Sequence, residues 1–311
     1  MSDADALLKA FGSAGGDRAV LEDPRTAHLL AVGHRILSAR RVEGLEVETR
    51  ETDNGIAARV RVAPGVRIEH PVHLCFGVVH RRGVQEIDMD VRLEQGSSAQ
   101  FLAHCLFPHA EEVRHLMKGR VRIDEGARLH YVETHVHGPH GGVEVIPRAE
   151  VHVGKNARYL GEFTLTGGRV GSLDIDYVVA CEEGAVTELI ARVHGRGSDR
   201  IRIREAISLN GENARGLIKT RIALQDEARA EVTGETQGHA AGARGHVDCM
   251  ELVRDRAVAG AVPIVGVTHP LAKVTHEAAI GSVDQRQLET LLAHGLSPEE
   301  AVDVIVRGVL R

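Results

Sequence analysis

Along much of the chain apolar and polar residues alternate with a period of two. In "VRIDEGARLHY", Val121, Ile123, Ala127, Leu129 and Tyr131 share one parity, while Arg122, Asp124, Arg128 and His130 take the other. Successive side chains of a strand point to opposite faces, so this pattern predicts strands with one face buried. The unit recurs. "VRVAPG" from Val60, "VRLEQG" from Val91 and "VRIDEG" from Val121 each read apolar–Arg–apolar, two residues, then Gly. Looser copies begin at Val151 ("VHVGKNA"), Val179 ("VACEEGA") and Ile207 ("ISLNGENA"), so the starts are separated by 31, 30, 30, 28 and 28 residues. A further match, "IALQDEA" from Ile222, comes only 15 residues after Ile207 and reads as half a unit. The glycine that closes each short strand supplies the positive φ of a tight bend.

A strand–bend–strand unit every ~30 residues, too short for a propeller blade and without helical periodicity, predicts one coil of a parallel β-helix. The fold class expected is mainly β: a parallel β-helix core over residues 45–275 with short helical caps at both ends. About seven coils, stacked at ~4.8 Å each, would make a rod on the order of 35 Å long. An antiparallel sandwich is the competing architecture, although its turns recur at shorter and less regular intervals.

Helical signals flank the repeats. Residues 1–44 are expected to form an N-terminal helical segment, in which "EDPRTAHLLAVGHRI" offers Asp23 as N-cap, Pro24 at the first helical position, and Ala27, Leu30 and Ala31 on one face. Residues 276–311 are expected to hold a C-terminal helical hairpin. Its first helix starts at Asp284, with Gln287 three residues on and Gly295 as the stop; its second has Ser297 as N-cap, Pro298 at N1 and Glu300 at N3. Such a hairpin would cap the open end of a β-helix or dock a partner.

Composition narrows the function classes. Aromatic residues make up 3% of the chain, there is no Trp, and 34 residues are Gly, so the core must be filled by aliphatic side chains, which suits regular stacked strands. The net charge of −6, with no lysine-rich block, argues against nucleic acid. "MSDADALLKAFGSAGG" is too polar for a signal peptide, and no apolar run approaches the ~20 residues of a membrane span. The cysteines Cys75, Cys105, Cys181 and Cys249 are widely scattered and show no zinc-type spacing. Reduced thiols and a cytoplasmic location are expected.

The chemistry is concentrated late in the chain. "KVTHEAAIG" sets His276 beside Glu277 in an apolar stretch. On a regular strand these neighbours face opposite ways and cannot line one narrow site, unless the strand lies at an edge that something else covers. "HVDCMEL" carries Cys249. His73, His104 and His135 are spaced by 31 and 31, which suggests stacked imidazoles, a hydrogen-bonded ladder more than a metal site, since the offset within the coil slips by one. Cys75 and Cys105 show the same one-residue slip, whereas Cys181 shares the inward parity of Ile123 and Val153.

Together "HVDCMEL" and "VTHEAAIGSVDQRQLETLLAHGLSPEEAVDVIVRGVL" resemble the SufB/SufD family of iron–sulfur cluster assembly scaffolds. The signature is the ordered set T-H-E-A, G-x-[IV], Q-L, the G-[LI] before a Ser-led acidic helix, and I-V-x-G. The resemblance implies a right-handed parallel β-helix that builds a transient cluster, of the 4Fe–4S kind, at the interface of two subunits. It implies Cys249 as thiolate ligand and sulfur acceptor, with Glu277 and His276 as the exchangeable ligands that SufB-like and SufD-like members respectively carry. Both roles in one chain imply a homodimer, with pairing to a paralogous subunit as the alternative. The implied partners are a SufC-like ABC ATPase and a sulfur donor. No Walker A motif occurs, so ATP hydrolysis would belong to the partner and the chain itself is expected to be a scaffold, not an enzyme. The short length resembles a minimal version of the system. One thiolate per chain with weaker oxygen or nitrogen ligands suits a cluster that must be released. The rival readings are a β-helix carbohydrate-active enzyme, for which paired carboxylates and stacking aromatics are lacking, and a purely structural assembly protein.

Overall fold

The structure, a computed structural model, describes residues 2–310. Two long sheets, one of ten strands and one of nine, face each other along a β-solenoid, and the chain passes from one sheet to the other in every half-coil. Pairing is parallel throughout except at the start, where His28–Val32 pairs antiparallel with Arg35–Arg40 and Leu45–Glu51 with Gly55–Val62.

The repeat read along the chain is a physical ladder. Val60, Val91, Val121, Val151, Val179 and Ile207 are successive register partners on adjacent strands of one sheet. The ladder continues through Thr236 and Val265. Ile222 lies in the other sheet, as the partner of Val193, which explains the half-length spacing. At the bend of each coil the positive-φ position is Gly65, Gly96, Gly126, Asn156, Gly184, Asn213 and Gly242 in turn, at φ between 54° and 70°. The amide of each bonds the next bend: Gly96 N–H reaches Glu125 O at 2.9 Å, and Asn156 N–H reaches Glu183 O at 2.8 Å. Asparagine serves where glycine is missing because its short polar side chain tolerates the left-handed region.

The helix expected over "EDPRTAHLLAVGHRI" does not form. A short helix, Arg18–Glu22, ends at Asp23, whose carboxylate accepts from the Arg25 backbone N–H at 2.9 Å and from its guanidinium at 2.7 Å. His28–Val32 then runs as a strand buried along its whole length. Leu29 and Ala31 join the solenoid core, while Leu30 and Val32 pack with Leu7 and Phe11 of the helix Asp3–Ser13. A strand covered on both faces is apolar at every position, which imitates a helical stripe in a short window. The solenoid also runs past residue 275, since its last strand is Lys273–Ser282.

The C-terminal hairpin forms as expected, with Asp284 capping Gln285–Ala293 and a Ser297–Glu300 capping box opening Pro298–Val309. It does not cover the open end. Val302, Val306 and Leu310 pack on Ala223 and Leu252, on the outer face of the ten-stranded sheet. The last coil is left bare, with Val258, Val262, Ile264, Val265, Val267, Leu271 and Ile280 all exposed. Among the described residues no helix is long and apolar enough to cross a membrane.

Candidate functional site

Cys249 sits at the centre of Arg244–Val253, the penultimate strand of the ten-stranded sheet. Its parity is inward: Val247, Cys249 and Glu251 are buried, while Met250 faces out. The edge strand Lys273–Ser282 lies over it in parallel, pairing Val247 with His276, Asp248 with Glu277 and Cys249 with Ala278. Register partners in a parallel pair share a face. His276 therefore shares the inward face of Cys249, and Glu277 takes the outward face of Asp248. The structure brings Cys249 and His276 onto one surface and leaves Glu277 on the other, as strand geometry required.

The diagonal between Cys249 and His276, one strand across and two residues along, corresponds to roughly 7–8 Å between Cβ atoms. Ala278 is the residue directly over Cys249, and its small side chain leaves little between the thiol and the open end.

Three further polar groups surround the thiol and were not singled out in the sequence. Thr220 is the register partner of Cys249 on the inner side, and its hydroxyl donates to Glu205 Oε2 at 3.1 Å. Glu205 and Glu251 are buried, and desolvation pushes each carboxyl up to about 7. Neither oxygen of Glu251 has a hydrogen-bond partner among the described residues. Burial, followed by the nearby Glu205 carboxyl, raises the Cys249 thiol to about 11, partly offset by the Thr220 hydroxyl. At neutral pH such a thiol is ionised in about one molecule in ten thousand, so it becomes a ligand only by giving its proton away. Glu205 and Glu251 are the buried carboxyls whose charge bears on it. Parity was the available signal: Glu251 follows Cys249 by two residues, and Glu205 falls in step with Ile201, Ile203 and Ile207.

On the outer face, Asp248 holds Arg221 through bonds of 2.9 and 2.5 Å, and the guanidinium keeps the carboxyl below the usual range. Several other outward carboxylates are likewise tied to arginines, as in Arg92–Asp124, Arg120–Asp88 and Arg204–Asp176.

The remaining cysteines are free and buried. Cys181 lies in the core ladder between Val153 and Leu209, with its thiol pushed up to about 12 by burial. Cys75 pairs with His104, and Phe76 with Cys105, which is the expected one-residue slip. Cys75 consequently packs under the N-terminal helix while Cys105 points into the solenoid. The histidines divide in the same way. His73 and His104 stack at 5.9 Å beside Phe11, whereas His135 points inward and does not join them.

A parallel solenoid with one bare end, and a buried thiol flanked by raised carboxyls one coil behind it, defines the class: a β-helical protein with an uncovered end. A family model described as the SufBD core domain of SUF system FeS cluster assembly matches residues 80–309, and the chain belongs to this family. It is 38% identical over 276 residues to an iron–sulfur cluster assembly SufBD family protein of Methanocaldococcus jannaschii, covering 89% of this chain and 87% of that one. A second such protein, of Pyrococcus horikoshii, is 33% identical over 306 residues, 98% of this chain and 93% of that one. The iron–sulfur cluster assembly protein SufB of Bacillus subtilis is 24% identical over 239 residues, 65% of this chain and 50% of the relative.

Proposed function

We propose that the chain is the scaffold on which a nascent iron–sulfur cluster is assembled, between two copies of itself. The observation that carries this reading is the bare final coil. Strands Val258–Val267 and Lys273–Ser282 end the two sheets with unpaired edges and exposed aliphatic side chains, one coil from Cys249. Open edges with apolar faces are aggregation-prone unless another chain covers them. A second copy related by a two-fold axis presents the same edge and doubles the ligand set.

Cys249 supplies the thiolate of each chain and His276 an imidazole from the same face. Glu277, on the opposite face of the edge strand, contributes a weaker oxygen ligand only where the partner copy closes around that strand. As Cys249 binds iron, its proton is lost, with Glu251, or Glu205 by way of Thr220, as the acceptor. The cargo, of the 4Fe–4S kind, is held by few firm ligands and so stays transferable. Sulfur comes from a separate donor, and the work takes place in the cytoplasm.

ATP hydrolysis belongs to a SufC-like ATPase that docks on the hairpin. Supporting this, a groove of about 730 Å³ between hairpin and sheet is lined by Arg221, Met250, Arg286, Leu291, Val304 and Ile305. Met250 and Val304 remain exposed there.

Anaerobic reconstitution with ferrous iron and sulfide tests the central ligand. The parent chain should develop charge-transfer absorption in the visible range; Cys249→Ser should leave only loosely held iron removed by gel filtration. Equal cluster content in the two proteins would rule out Cys249 as the ligand.

A further inference from the structure

We infer that the solenoid interior holds a second, closed metal site, for a single thiophilic divalent cation of the zinc class, built from Cys105, His115 and His135. The three are buried, and one ligand atom from each lies within 4.8 Å of the others. They come from three consecutive strands, Ser98–Phe107, Glu112–Ile123 and Arg128–His137, that is, from both sheets across the core. Phe107 and Phe163 wall the group, with ring centroids 4.9 Å from His115 and 4.8 Å from His135. A thiol and imidazoles in a dry pocket form the donor set that zinc-class ions prefer.

Two independent features point to a cation in this group. Among the described residues neither Nδ1 nor Nε2 of His115 has a hydrogen-bond partner, although the residue is fully buried. An imidazole in that position leaves both an N–H and a lone pair unsatisfied, which native interiors avoid. The second feature is a conflict of tautomers. His137 Nδ1 faces the Arg169 carbonyl oxygen at 3.3 Å, so its proton belongs there and Nε2 is a lone pair. His135 Nε2 faces Glu133 Oε1 at 2.7 Å, so its proton belongs there and Nδ1 is a lone pair. These two lone pairs point at each other across 3.3 Å. A cation bound in this group relieves the conflict, and 3.3 Å is the nitrogen–nitrogen spacing of a tetrahedral ion with bonds of about 2.0–2.1 Å.

The supporting shell is also present. Glu133 orients His135 as carboxylates orient metal-binding histidines elsewhere. The fourth donor is His137, whose Nε2 lies 3.3 Å from His135 Nδ1. Cys105 would lose its proton on binding, and that proton leaves to solvent as the chain folds around the ion. The site is distinct from Cys249. The inward ladder from Glu133 runs through Phe163, Ala191 and Thr220 to Cys249, four strand spacings or about 19 Å.

Because the pocket is closed, the ion must enter during folding, so the full chain is unfolded in chelator and refolded anaerobically with cobalt(II) as the probe. The Cys249→Ser protein serves as background, to remove the other candidate thiolate. One equivalent of cobalt, showing tetrahedral d–d bands and a sulfur-to-cobalt charge-transfer band, is the expected result, with zinc displacing it. Cys105→Ala should abolish the charge-transfer band and weaken binding by about 100-fold or more, and Glu133→Gln should weaken it about 10-fold while keeping the band. Should Cys105→Ala fail to refold, X-ray absorption on the cobalt-loaded background protein decides, since one sulfur with three nitrogen neighbours is required. Absence of tightly bound cobalt, meaning that a proton alone settles the two histidines, overturns the proposal. So does bound cobalt without a sulfur neighbour, or a charge-transfer band that survives Cys105→Ala.

Discussion

His276 and Glu277 are adjacent in the chain, yet they do not act on the same surface. The register puts His276 with Val247 and Glu277 with Asp248, so only the histidine shares the face of Cys249. Their losses should therefore differ. His276→Ala should shorten the lifetime of the reconstituted cluster more than Glu277→Ala, measured as the rate of absorbance decay on addition of a chelator; the reverse order would place the cargo on the outer face. Cys181→Ser should lower stability by about 1–3 kcal/mol, because a hydroxyl replaces a thiol in a fully apolar ladder, and should leave cluster loading unchanged. Glu205 makes a pH prediction. Its carboxyl is raised from 4.5 to about 7, so the folded state holds the proton more tightly than the unfolded chain does. The associated stability is complete below the unfolded value and is lost as pH rises through about 7. Relative to the parent, Glu205→Gln should gain up to about 3 kcal/mol between pH 5 and pH 8 in urea unfolding, and no gain would show that Glu205 ionises freely in the fold. At this scale the sequence was legible where side-chain parity was followed, as for Cys181, and the same parity, not followed, marked Glu205 and Glu251 as polar groups among inward aliphatics.

The coils were legible because each ends in a bend that only a few residues can make. Val60 to Ile207 mark six rungs of one ladder, and the bends after them carry the positive-φ residues. The ladder disappears from the sequence at Thr236, where a buried hydroxyl replaces the aliphatic residue. The start of the chain misled because the strand His28–Val32 is apolar on both faces, and periodicity alone cannot separate it from a helix. The bends are themselves testable. A Cβ at Gly184 would strike the Asn156 side chain in the neighbouring bend, at a φ of +63°. Gly184→Ala should cost more than about 1 kcal/mol in thermal or denaturant unfolding, with cluster chemistry intact in the folded fraction. The hairpin supplies a second test at this scale. Deleting residues 296–311 should abolish co-purification with a SufC-like ATPase and preserve the β-type circular dichroism spectrum; undiminished binding would move the docking site elsewhere.

For the molecule as a whole, the solenoid starts in two antiparallel strand pairs whose outermost strands, Arg35–Arg40 and Leu45–Glu51, carry charge, and it ends in a bare aliphatic coil. The helix Asp3–Ser13 packs on the outer flank of the first coils through Leu7 and Phe11, and among the described residues nothing covers Val265 or Ile280. In the scaffold we propose, Cys249 lies one coil behind the interface, and assembly of two chains is part of the binding site. The most direct test is to reconstitute the parent and an edge variant, Val265→Lys with Ile280→Lys, anaerobically, and to follow cluster absorbance and mass together by size-exclusion chromatography with light scattering. Both proteins must retain the β-type spectrum. The account predicts that cluster absorbance travels with the two-chain species of the parent and is absent from the monomeric variant. A monomer carrying as much iron and sulfide as the parent would contradict it.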